Sequence, residues 1–157
     1  MSEKDIRQQI FEIIAGEQNL VDPVHASATL GMVHKYERWT SDWAKFLSFF
    51  TDPETGRIFG WEIRRAARPT QKLDYQEEQR THSYLIKGYM GLQDADQTEL
   101  LFNEKIEELT ALFKANHTLN GTCHEAGPMS VEVIDERMFG NVLCHYTEIR
   151  FPVTEIV

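Results

Sequence analysis

Hydrophobic and polar positions alternate most cleanly near the C-terminal end of the chain. Within residues 129–153, Met129, Val131 and Val133 alternate with Ser130 and Glu132. Further on, Leu143, His145, Thr147, Ile149, Phe151 and Val153 share one side, while Cys144, Tyr146, Glu148 and Arg150 share the other. A period of two is that of a half-buried strand, so the stretch predicts a closing β-hairpin. Its turn falls at Gly140-Asn141, both residues that tolerate positive φ. Met138 and Phe139 stand just before the turn, where polar residues are usual. An apolar tip predicts contact with another protein, with Phe139→Asp leaving the monomer folded but weakening assembly.

Upstream the period changes. Ile6, Ile10, Ile13 and Ile14 fall on one helical face across residues 3–15, with Ser2 and Asp5 as an imperfect capping box and Gly16 as a stop. Residues 17–31 carry Pro23 and small side chains without a period, and read as a loop leading to a strand over 32–38. Ser41 then caps a short helix whose Trp43, Phe46, Leu47 and Phe50 share a face, ended by the turn cluster at 52–56. This aromatic insert is either core, the simpler reading, or a docking element. A strand over 60–68 places Trp61 and Ile63 opposite Glu62 and Arg64 and ends near Pro69; residues 70–79 read as a polar connection. Residues 81–90 are apolar on both faces, as a central strand is. Asp96 with Glu99 opens a helix that runs to near Asn116, with Phe102, Ile106, Leu109 and Phe113 on its buried face. Residues 119–122 form a turn before the hairpin.

Helices separated by runs of neighbouring strands indicate an α+β fold. The expected architecture is a mixed, mainly antiparallel sheet of four to five strands, two main helices packed on one face, and a short helical insert. The length of 157 residues suits one domain spanning 1–157, and 41% hydrophobic with 26% charged residues is the composition of a folded chain. One face of such a sheet is left over for other contacts.

The net charge of -9 is opposite in sign to what gripping phosphates requires. The local basic concentration is Arg57, Arg64, Arg65, Arg68 and Lys72. Arg64 and Arg65 point to opposite faces if they lie on a strand. The plain reading is ion pairing between strands or subunits; the sharper one is that some of these arginines line a channel that DNA traverses. The six histidines and two cysteines make no metal-binding pattern, because Cys144 and His145 are adjacent in a strand and diverge. No phosphate-binding glycine loop, nucleophile elbow or paired acid and base is recognisable, and Glu77-Glu78 and Glu107-Glu108 read as solvated. No catalytic residue, metal site or cofactor is therefore expected. The N-terminus lacks the pattern of a signal peptide, and no stretch is long and apolar enough to span a bilayer, so a cytosolic site of synthesis with reduced thiols is expected.

The stretches RTHSYLIKGYMGL, FNEKIEELTALFKAN and VEVIDERMFGNVLCHYTEIRF, in this order of elements, resemble the tail terminator and tail-completion (minor tail) proteins of long-tailed bacteriophages and prophages. The resemblance covers most of the chain and includes no catalytic motif. It implies a non-enzymatic homo-oligomeric ring, typically a hexamer. The ring caps the tail tube protein, joins it to the head-tail connector protein and lets DNA pass with at most transient contact. It implies assembly in the host cytoplasm and a final place in the virion tail, with no membrane partner. By position, Trp43, Phe46, Phe50, Met138, Phe139 and Asn141 become candidate interface residues, and Arg64, Arg65 and Arg68 candidate lumen or inter-subunit charges. Other readings stay open: another tail or neck component, or a small α+β ligand-binding domain or enzyme without a visible motif.

Overall fold

The computed structural model describes residues 2–157. In chain order the elements are α1 (Glu3–Ala15), β1 (Val24–Ser27), β2 (Gly31–His34), α2 (Trp43–Ser48), β3 (Phe59–Ala67), β4 (Thr70–Lys72), β5 (Glu78–Gly91), α3 (Thr98–Lys114), β6 (Glu125–Ala126), β7 (Ser130–Phe139) and β8 (Val142–Ile156). All eight strands join one sheet in the order β1-β2-β3-β5-β8-β6, with β4 added to β5 and β7 added to β8. Every pairing is antiparallel except β2 with β3.

The expected sheet of four to five strands is thus too small: the chain is mostly sheet. The additional strands β1, β4 and β6 have two to four residues each. At that length no alternation can develop, and their pairing is imposed by longer neighbours. The strand expected over 32–38 stops at His34, where Lys35 donates its backbone N–H to Pro23 O at 2.8 Å and the chain turns away. The polar connection expected at 70–79 contains β4 and the start of β5.

One face of the sheet carries the main core. Ile6, Ile10 and Ile14 of α1 and Phe102, Ile106, Leu109 and Phe113 of α3 pack there on Trp61, Ile63, Tyr84, Ile86, Ile149, Phe151 and Val153. Ser2 caps α1, its Oγ accepting from the Asp5 N–H at 3.2 Å, and Gly16 ends it at φ 75°. The start of α3 differs from expectation: residues 94–96 form a separate 3₁₀ turn, and Gln97 at φ 56° precedes the helix without a side-chain cap. Thr98 Oγ1 instead meets His145 Nε2 at 2.8 Å and tethers α3 to β8. Gly88 permits the closest packing on this face. A Cβ there would lie 2.3 Å from the Trp61 ring, which crosses β5 while its Nε1 donates to Leu30 O at 2.8 Å.

Candidate functional site

The opposite face is covered only in part. Strand alternation brings Glu62 and Arg64 of β3, Lys87 and Tyr89 of β5, and Cys144, Tyr146 and Glu148 of β8 to this side, as register partners across the sheet. At one end α2 closes over it. Phe46, Leu47 and Phe50 pack with Tyr89, Phe139, Cys144 and Tyr146 in a second buried cluster. The rings meet mostly edge to face at 4.7 to 6.5 Å between centroids, including Trp43 with Phe139 at 5.5 Å and Phe46 with Tyr89 at 5.5 Å, a geometry favoured by the ring quadrupole. Asp42, not Ser41, caps α2, its Oδ1 accepting from the Ala44 N–H at 3.0 Å.

Beside this cluster the segment between β2 and α2 arches over a groove of about 490 Å³ whose lining includes Glu37, Arg38, Glu62, Arg64, Lys87 and Tyr89. Glu62 lies at its floor and is 1% exposed. Tyr89 Oη donates to Glu62 Oε1 at 3.1 Å and the Arg38 backbone N–H to Oε2 at 3.3 Å. Burial drives the Glu62 carboxyl up to about 7, only partly offset by those hydrogen bonds and the Lys87 charge. Burial likewise raises the Tyr89 hydroxyl far above its usual value, so Tyr89 stays a donor. At the rim, Lys87 Nζ reaches Glu37 Oε2 at 2.8 Å, and Arg64 Nη1 approaches the same oxygen at 3.7 Å.

His34 is the register partner of Glu62 in β2. Its Nε2 lies 2.6 Å from Phe49 O and its Nδ1 3.0 Å from Arg38 Nη1. Nε2 therefore carries the proton and Nδ1 accepts from the guanidinium. Burial brings the imidazole down to about 4, and the nearby Arg38 charge adds to that effect. Arg38 stacks over Phe49 at 3.8 Å from the ring centroid and so joins the network to the aromatic cluster. Chemically, Glu62 can gain or lose a proton near neutrality in a concave site, as acid–base groups do, yet its direct partners are a tyrosine and a backbone amide rather than a nucleophile.

The residues singled out from sequence fall into different environments. Phe46, Phe50 and Phe139 are buried inside their own chain, so the insert is core at these positions and Phe139 does not project from the tip. The expectation that Phe139→Asp leaves the monomer intact is corrected accordingly. Trp43 is 51% and Met138 59% exposed, and Asn141 lies exposed in the turn. Only Gly140 of the turn pair takes positive φ, at 67°. Arg64 lies by Glu37; Arg65 Nη1 reaches the buried His82 Nδ1 at 3.3 Å on the other face; Arg68 is exposed. His82 in turn sits 3.4 Å from the buried Glu155, and burial lowers its pKa against the pull of that carboxylate.

Cys144 lies in the aromatic cluster and His145 against α3, on opposite faces, and burial pushes both Cys123 and Cys144 thiols up to about 11. Among the described residues no group of three or more His, Cys, Asp or Glu side chains could hold a metal ion, and no helix is long and apolar enough to cross a membrane. The Glu62, His34 and Arg38 network escaped sequence reading because its members come from two strands and a loop. The only visible sign was Glu62 alternating with Trp61 and Ile63. No model of a known protein family matches the chain, and comparison with curated proteins likewise gives no match.

Proposed function

We propose that the chain is a structural assembly protein of a bacteriophage or prophage tail, a terminator that caps the tail tube as a ring of identical subunits and joins it to the head-side connector. The observation that carries this reading is an apolar strip on an unpaired edge. Val131, Ile134 and Met138 are exposed on one side of β7, beside exposed Leu143 of β8. β7 has a strand on only one side. A lone chain leaves these side chains in water, with the exposed Glu136 between Ile134 and Met138, and exposed apolar surface set among polar residues marks interaction sites. The resemblance of the hairpin and of the two stretches before it to tail terminator proteins supports the same conclusion. The charge of -9 suits a ring that lets DNA pass without holding it. On this reading the protein works without a cofactor, assembles in the host cytoplasm and ends in the virion tail. Sedimentation velocity over a concentration series, followed by negative-stain electron microscopy with assembled tail tubes, tests it. Closed rings of one size at tube ends support the proposal; a monomer at every concentration that leaves the tubes unbound overturns it.

A second reading, a ligand-binding domain or enzyme, is favoured by one observation, the buried Glu62 carboxyl raised to about 7 at the floor of a groove. A small molecule that shifts the Glu62 titration would select it. A Glu62→Gln variant that assembles normally would assign the network a structural role.

A further inference from the structure

We propose that copies of this chain associate head to tail by laying the acidic edge strand β7 of one copy against the basic ribbon at residues 64–72 of the next, an inference that rests on the ring reading above. Besides the short end strands β1 and β6, the sheet leaves a longer stretch of unpaired edge on each side. On one side β3 runs beside β2 only as far as Glu62, and β4 pairs with β5 alone. Beyond Ile63 the chain is exposed without a break through residue 77. Residues 64–73 hold Arg64, Arg65, Arg68 and Lys72 and no carboxylate. On the other side, β7 carries Glu132, Asp135 and Glu136 against the single cation Arg137.

Each edge also carries apolar surface. β7 exposes Val131, Ile134 and Met138, while the ribbon leads into Leu73, 46% exposed, and Tyr75, 98% exposed. Neither edge suits a two-fold contact with itself, which would set carboxylates against carboxylates or arginines against arginines. The two edges suit each other, and a contact between different surfaces repeats from copy to copy until it closes a ring. With a net charge of -9, copies repel on average, so the basic ribbon is where another copy approaches most readily.

The contact is made through side chains rather than by extending the backbone ladder. Pro69, a bulge between Arg65 and Ala67, and another between Val131 and Val133 interrupt the two edges, features that blunt edge-to-edge pairing. Most present partners of these charges are weak surface pairs that can exchange: Glu132 with Arg150 at 3.4 Å, Asp135 with Arg137 at 3.2 Å, and Arg64 with Glu37 at 3.7 Å, while Glu136 stands 3.9 Å from the buried His145. Arg65 is already engaged with His82. Arg64, Arg68 and Lys72 are therefore the contacting cations, and their role is between subunits rather than in the lumen.

The test is charge exchange, read by sedimentation velocity in low salt. One variant carries Arg68→Glu with Lys72→Glu; another carries Glu132→Lys with Glu136→Lys. All four positions are exposed or rim residues, and circular dichroism checks that both variants keep the wild-type fold. Each alone is expected to weaken association by at least about 10-fold, and added salt to weaken the wild type. Mixing the two variants, or placing all four changes in one chain, is expected to restore it. If wild-type protein forms rings and both variants do so equally well, the ring reading stands and this pairing falls. If the folded variants fail to reassemble when mixed, the pairing also falls. A wild type that stays monomeric at every concentration overturns both.

Discussion

The two faces of the sheet bury comparable side chains for different ends. Under α1 and α3 the packing is largely apolar; Thr98 with His145 and Trp61 Nε1 with Leu30 O are satisfied across elements, while His82 and Glu155, 3.4 Å apart, form a buried ionisable pair on the same face. Under α2 the cover is a six-residue helix and one arching segment, so the aromatic cluster merges into a charged network around Glu62, His34 and Arg38. The first face specifies the fold. Both faces hold ionisable groups away from their usual titration ranges, His82 and Tyr84 on the first and His34 and Glu62 on the second, but those of the second stand beside a groove that opens to solvent.

Removing Trp61 should break the first face most severely. Trp61→Ala is expected to cost about 4 kcal/mol in urea unfolding, because the ring fills the space over Gly88 and satisfies Leu30 O. A cost below that of Phe46→Ala would reverse the ranking of the two faces. On the second face, Phe139→Asp would place a carboxylate among Trp43, Phe46 and Tyr89 and should destabilise by about 3 kcal/mol, seen as a lowered thermal midpoint. Unchanged stability would show that the tip does not stay docked on α2.

Glu62→Gln sharpens the electrostatic side of the comparison. The folded Glu62 carboxyl titrates near 7 rather than 4.5, so the folded state holds more protons between these values and stability falls as pH rises through that window. His34 works the other way. Its folded value near 4, against 6.5, gives stability that is present above 6.5 and lost as pH falls towards 4. The glutamine variant should remove the first slope and leave the second, a difference of about 2 kcal/mol between wild type and variant across the window. Parallel pH profiles by chemical denaturation would mean that Glu62 titrates normally. The smallest expected effect is Met138→Asp, within about 0.5 kcal/mol of wild type in stability because the side chain already meets water, yet with weakened self-association by light scattering. A large loss of stability would put Met138 in the fold rather than at a contact.

Long elements were legible because each repeats its period several times. The spacing of Ile6, Ile10 and Ile14, of Phe102, Ile106, Leu109 and Phe113, and the alternation from Leu143 to Val153 match α1, α3 and β8. The same alternation placed Cys144 and His145 on opposite faces. The candidate site was much less legible. Glu62 looks in sequence like any polar residue of a half-exposed strand, and its burial depends on the arch between β2 and α2, far from it along the chain.

Sequence periodicity alone determined which side of each long strand and helix is apolar, because a side chain's direction follows from its position within a regular element. It also determined that charges of one sign gather at residues 64–72. Tertiary structure decided the rest. It recruited β1, β4 and β6 into an eight-stranded sheet, since strands of two to four residues exist only when a neighbour supplies their hydrogen bonds. It turned Phe139 inward onto Phe46, Tyr89 and Tyr146 while leaving Met138 outside, because α2 covers the face of the hairpin that Phe139 occupies and not the other. It also buried Glu62 and set the acidic β7 edge opposite the basic ribbon, which depends on strand order across the whole sheet rather than on any local pattern.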